Sequence, residues 1–220
     1  MPIPAAFAPL LAALALLVLG GGCARRVAVP DARVGLDSDA RAADSRDDRA
    51  LAEEIASEAG RYVDRSFRGD CSGFVKHVLD EVGVTLPMPA QARTGSEALK
   101  LATRPTSRPR PGDLAFFHDT YDRNRDGRVN DPYSHVAIVE QVEGDQLTLV
   151  HRGGKGIARI RMDVRRPSDR ERNSILRVRR RDDRPGTRYL AGELSAGFGV
   201  VVPVDGLIAA RIRAAALCLR

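Results

Sequence analysis

Apolar residues recur along this chain with two different periods, and the changeover separates helices from strands. Leu51, Ile55 and Ala59 share one stripe of a helix that Ser45-Arg46-Asp47-Asp48 caps and Gly60 ends. A second stripe of Phe74, Val75, Val78, Leu79 and Val82 predicts a helix that begins at Cys71 and stops at Gly83. Pro87, Pro89, Pro105, Pro109 and Pro111 punctuate the next stretch of chain, leaving room for a short helix over 96–101. Beyond Pro111 the period falls to two. Strands are predicted over 114–117, 135–142, 146–152, 157–162 and 175–178. Helices first and then an antiparallel run make an α+β layer structure, with N-terminal helices packed on an antiparallel sheet.

The two ends follow neither period in the same way. Residues 3–19 form an uncharged stretch rich in Ala and Leu, ending in Gly20-Gly21-Gly22-Cys23. The expectation is a signal peptide over 1–22. A small residue before a cysteine resembles a bacterial lipoprotein cleavage site, which makes Cys23 the candidate for lipidation. Residues 23–46 are polar without periodicity and read as a flexible tether. The domain then runs over 47–182, and 183–220 is a C-terminal extension. In that extension Ile208, Ile212, Ala215 and Leu219 share a helical stripe. Such a chain is expected to be exported to the cell envelope. It would sit there as an outer-membrane or cell-surface lipoprotein facing the periplasm, held to the membrane by its lipid or anchor.

Composition narrows the partners. The 220 residues carry a net charge of +6, almost all of it arginine. These arginines are scattered among acids, and only 5% of residues are aromatic, so there is no stacking platform for nucleic acid. The three cysteines, Cys23, Cys71 and Cys218, are too few for a disulfide framework and lack metal-binding spacing. Three separate roles are assigned to them: attachment for Cys23, chemistry for Cys71, and a small apolar filler for Cys218. A monomer is expected.

Cys71 stands in Asp70-Cys71-Ser72-Gly73-Phe74-Val75, where a polar loop becomes a helix. The positive end of a helix favours a thiolate and supplies donors to an oxyanion. His135 opens a strand, and His151 lies on the next strand across Glu143-Gly144-Asp145-Gln146. A two-residue turn at Gly144-Asp145 would put the two imidazoles on opposite faces. A three-residue loop would set His151 opposite Ala137, diagonal to His135 on one face. Catalysis therefore demands an odd-numbered loop. In this arrangement Cys71 is the nucleophile, His135 the general base and His151 the group that orients it.

Asp-Cys-Ser-Gly-Phe-Val, Pro111-Gly112-Asp113-Leu114-Ala115-Phe116-Phe117 and Ser134-His135-Val136-Ala137-Ile138-Val139, in that order, resemble the NlpC family of bacterial cell-wall cysteine peptidases. The resemblance spans roughly residues 50 to 160. It implies a papain-like core with the nucleophile at a helix N-terminus. It also implies cleavage of peptidoglycan stem peptides between D-γ-glutamyl and a diamino acid, with no cofactor needed for catalysis. Asp70, Ser72, Tyr62 and Ser134 match family positions near the substrate. The Tyr62 to Gly69 segment is shorter than the family's usual Trp-Gly-Gly-containing stretch. Two rivals stay open: a CHAP-type N-acetylmuramoyl-L-alanine amidase or endopeptidase, and a non-catalytic envelope-binding lipoprotein.

One loop carries different chemistry. Asp122, Asn124 and Asp126 stand at relative positions one, three and five, with Gly127 at six and Val129 at eight, like the start of a calcium loop. Tyr133 replaces the closing Glu. Asp122, Asn124, Asp126, Arg128 and Asp131 are the candidate ligands of a structural Ca2+ that would order the rim before His135. His77 and His118 have no evident partners and are expected at the surface.

Overall fold

A computed structural model describes residues 46–181 and 183–202. The expected signal segment, Cys23, the tether up to Ser45, Cys218 and the C-terminal stripe lie outside the described residues. Among the described residues three helices come first: α1 (Arg46–Arg61), α2 (Cys71–Glu81) and α3 (Gly95–Ala102). Six strands come after them: β1 (Arg104–Thr106), β2 (Leu114–Phe117), β3 (His135–Glu143), β4 (Gln146–Gly153), β5 (Gly156–Asp163) and β6 (Ser195–Val200). They form one antiparallel sheet in the order β1-β6-β2-β3-β4-β5.

The pleat of β2 and β3 feeds two separate cores. Leu114, Phe116, Val136 and Ile138 point to one face and pack with Ile55, Phe74, Val75, Val78 and Leu99 from the helices. Ala115, Phe117, Ala137 and Val139 point to the other face, among Leu147, Leu149, Met162, Ala191 and Leu194. Central strands covered on both sides lose the polar half of their alternation, and all four residues of β2 are buried. Pro111-Gly112-Asp113 is where three elements meet. Gly112 N–H donates to Val139 O, and Val139 N–H donates to Asp113 O, both at 2.8 Å. With φ at +89°, a Cβ on Gly112 would lie 2.2 Å from the Ala52 carbonyl oxygen of α1.

Two expectations about strands are corrected. Residues 175–178 do not form a strand; only Ile175 makes an isolated bridge, to Leu190. The segment pairs through the main chain with Tyr189 and Thr120 instead. Conversely, β6 lies inside the sheet between β1 and β2, so the domain does not end at residue 182. Its sequence, Ser-Ala-Gly-Phe-Gly-Val, has two glycines and little apolar alternation, which hides it from a pattern reading.

The β3–β4 hairpin also departs from expectation. Glu143 pairs with Gln146, which makes the connection a two-residue turn rather than an odd-numbered loop. Further along, Gln141 pairs with Thr148 but Val139 pairs with Leu149, leaving Glu140 as an extra residue. This bulge flips the register by one. Ile138 then faces Val150, and the next step sets His151 beside Ala137 and diagonal to His135. The parity that the loop was expected to supply comes from the bulge. Glu140 is held there by a two-pronged ion pair with Arg159, at 2.6 and 2.7 Å.

Ile138 is fully buried where the helices meet the sheet. Ile138→Ala is expected to lower unfolding free energy by roughly 2–5 kcal/mol in urea titration. Ile175→Ala, at a side chain 58% exposed, should shift it by less than about 0.5 kcal/mol. Equal effects would contradict this placement of the core.

Candidate active site

Cys71 is the first residue of α2 and a free thiol. Asp70 caps the helix from an extended conformation, its Oδ1 accepting from Gly73 N–H at 2.7 Å and from Ser72 Oγ at 2.8 Å. The second contact to the thiol comes from α3, which Thr94 caps. Ser96 Oγ lies 3.6 Å from Cys71 Sγ. The two helix starts approach so closely that a Cβ on Gly95 would fall 2.1 Å from Ser72 Oγ. Gly95 is thus the residue that lets Ser96 reach the sulfur.

The histidines meet as the bulged register requires. His135 Nε2 and His151 Nδ1 are 2.8 Å apart, with the rings at 83°. Each residue is only 8% exposed. Burial drives His135 down to about 3, helped by the neighbouring His151, while Asp70 opposes the shift. Burial alone takes His151 to about 4. Both rings are therefore neutral at physiological pH, and one proton sits between them. If His135 Nε2–H donates to His151 Nδ1, the His135 Nδ1 lone pair is left to accept a proton.

The thiol does not behave as the helix-end argument expects. Burial pushes Cys71 above its ordinary value of 9.0, and the Asp70 carboxylate adds to this. Hydrogen bonds from Ser96 and from the main chain of Val136 and Ser72 oppose it without reversing it. The sulfur is close enough to accept from Val136, the residue after His135. The resting site thus holds a neutral thiol beside a neutral imidazole pair.

An open cleft of about 640 Å³ exposes this chemistry, with Asp70, Cys71, His135, His151, Tyr121 and Arg152 along its walls. Among the residues expected near substrate, Asp70 alone lines the cleft. Tyr62 is turned to the core, its hydroxyl 2.8 Å from His77 Nε2 and its ring edge-on to Phe74. Ser72 is buried against Gly95, and Ser134 is buried with Oγ accepting from Thr120 N–H. These three support the site from behind it. His77 and His118 do have partners; His118 Nδ1 accepts from Tyr133 N–H at 2.9 Å. Tyr121, Ser96 and Arg152 had no motif to mark them in the sequence.

The loop expected to hold calcium is bonded to itself and to an arginine. Asp122 accepts from the main chain of Asp126 and Gly127, and Asn124 and Asp126 bond within the loop. Arg180 Nη1 sits 2.9 Å from Asp122 Oδ2, bringing a positive charge to the first carboxylate of the loop. Asp131 is buried nearby and 3.9 Å from Arg123 Nε. Among the described residues no group of three or more His, Cys, Asp or Glu is placed to hold a metal ion.

A thiol at a helix start and a bonded imidazole pair share one cleft, and these are the groups that thiol-based acyl transfer uses. A family model matches this part of the chain. The CHAP domain model matches residues 61–153, a run that takes in Cys71, His135 and His151. CHAP denotes the cysteine/histidine-dependent amidohydrolase/peptidase class, related to NlpC and papain-like cell-wall hydrolases, and the match supports that broader class rather than NlpC in particular. The mixed helix–sheet architecture is compatible with a CHAP fold. Two solved structures are similar at low identity. The crystal structure of Ly7917 is 16% identical with a TM-score of 0.38, and that of Ly7917 with the hydrolyzing product of MDP is 15% identical with a TM-score of 0.37. In both cases the match covers 51% of this chain and 56% of the other, so it spans little more than half of the Ly7917 chain. Among curated proteins no relative matches.

A thiol raised by burial ionises only in the alkaline range, so the thiolate fraction grows as pH increases past 9. Iodoacetamide alkylation of Cys71 should therefore keep accelerating beyond pH 9. A rate that is already at its plateau near pH 7 would contradict the neutral resting state.

Proposed function

We propose that the chain is a peptidoglycan hydrolase that cuts an amide bond of murein stem peptides by acyl transfer through Cys71. The observation that carries this reading is the His135–His151 pair opening into the same cleft as Cys71, within the span that the CHAP domain model matches.

The steps use groups already in place. The Cys71 Sγ–H proton passes to His135 Nδ1 as sulfur attacks the carbonyl carbon. His151 Nδ1 accepts from His135 Nε2–H and stabilises the imidazolium that forms. Main-chain N–H groups in the first turn of α2 meet the oxyanion. The imidazolium then protonates the departing amine, leaving a thioester. Water, deprotonated by His135, releases the acid and restores the thiol. Because thiol and imidazole both begin neutral, proton transfer accompanies attack rather than preceding it.

The finer reading is an endopeptidase acting between D-γ-glutamyl and a diamino acid, supported by the Asp70-Cys71-Ser72-Gly73 context. The CHAP match keeps a second reading in play, an amidase cutting at the N-acetylmuramoyl-L-alanine bond. Peptidoglycan as substrate places the working site in the cell envelope.

Digestion of purified peptidoglycan tests both levels. Wild type should release soluble muropeptides and Cys71→Ala should lose at least about 1,000-fold in rate. Mass spectrometry should find new γ-glutamyl carboxyl and diamino-acid amine ends. Free muramic acid carboxyls with intact peptides would favour the amidase, and full activity in Cys71→Ala would overturn the hydrolase reading.

A further inference from the structure

Arg152 comes directly after His151, at the end of β4, and lines the same cleft. Its guanidinium is half-buried. Nη1 donates to the Gly153 carbonyl at 2.8 Å, while Nε is sealed from water and has no hydrogen-bond acceptor. Among the described residues no carboxylate pairs with it. A buried donor left unsatisfied costs stability unless something else satisfies it. Arg177 also has a buried Nε without an acceptor, but its guanidinium is ion-paired with Asp183.

The surroundings indicate what can meet the rest of the Arg152 guanidinium. The cleft carries Arg65, Arg152 and Lys155 against Asp64 and Asp70. The Asp70 carboxylate is engaged by Gly73 and Ser72 as the cap of α2, and both histidines are neutral. The cleft as a whole therefore carries an excess of cationic side chains, with Asp70 the charge that acts on the thiol itself. Gly153, Gly154 and Gly156 form the wall around the hairpin tip, so a peptide chain can lie close to the guanidinium. Lys155 stands on the turn between β4 and β5 and adds a second, exposed cation.

We infer that Arg152 is a specificity-determining residue that receives a free carboxylate of the substrate peptide. The inference rests on the cleft being the hydrolytic site. Nη1 is already occupied and Nε is sealed, which leaves Nη2 as the guanidinium nitrogen that can donate to a carboxylate oxygen. A stem peptide whose carboxylate beside the scissile bond is free is accepted; its amidated counterpart, which brings a second donor and no charge, is discriminated against. Lys155 adds longer-range attraction for the same anion.

The test uses two synthetic stem peptides identical except for a free carboxylate or a carboxamide at the glutamyl residue. Wild type should show a kcat/KM roughly 10- to 100-fold higher for the carboxylate peptide, the worth of a charge-assisted hydrogen-bond pair. Arg152→Gln should erase that ratio by losing the carboxylate peptide, and Arg152→Lys should restore part of it. Equal rates in wild type, or an Arg152→Gln variant that slows both peptides alike, would overturn the proposal. Calorimetric binding to Cys71→Ala separates the two levels. If wild type cleaves neither peptide but Cys71→Ala still prefers the carboxylate form, the carboxylate site stands and the endopeptidase reading falls. If Cys71→Ala prefers neither, the carboxylate site falls.

Discussion

Two imidazoles 2.8 Å apart, both shut away from water, impose the condition that the rest of the site must satisfy. Burial makes a charged histidine expensive, so the pair is held neutral and shares one proton. The bond needs His135 and His151 on one face of adjacent strands. A two-residue turn by itself denies that, and the extra residue Glu140 restores it. The ion pair to Arg159 then holds the bulge from β5, on the far side of β4. A packing irregularity in the sheet is thus what converts two separated histidines into a base with an orienting partner.

The helical layer meets a matching condition from the other side. The starts of α2 and α3 are packed closely enough for Ser96 to touch the Cys71 sulfur, which only a residue without a side chain at Gly95 permits. Pro111-Gly112-Asp113 docks α1 onto β3 in the same way, fixing how the helices sit over the strand that carries His135. Closeness has an electrostatic consequence. Burying the thiol outweighs the hydrogen bonds it receives, so the site starts neutral rather than as a preformed ion pair. The electrostatic separation of charge is deferred until substrate arrives.

Much of this was legible in the sequence because it rests on periodicity and punctuation. The stripe from Phe74 to Val82 and the run from His135 to Val142 declare their elements, and Cys71 and His135 stand at starts that matter. What stayed hidden depends on pairing across long separations. The glycine-bearing strand Ser195–Val200 has no pattern of its own and forms because β1 and β2 flank it. The Glu140 bulge is invisible to alternation, since a bulge changes register without changing composition. The loop from Asp122 to Asp131 also depends on a distant partner. Its spacing suits calcium, but Arg180, fifty-eight positions away, is the charge that meets Asp122. Tyr62 was expected near substrate and instead satisfies His77, a partner that no local motif announces.

The account turns on a neutral, bonded imidazole pair, and side-chain nitrogen NMR of histidine-labelled protein observes it directly. Titrated from pH 7.5 to 5, His135 and His151 should both remain neutral through the ordinary histidine range. His135 should carry its proton on Nε2, and His151 should present Nδ1 as acceptor. Either ring titrating near its ordinary 6.5, or the proton of His135 found on Nδ1, would contradict it.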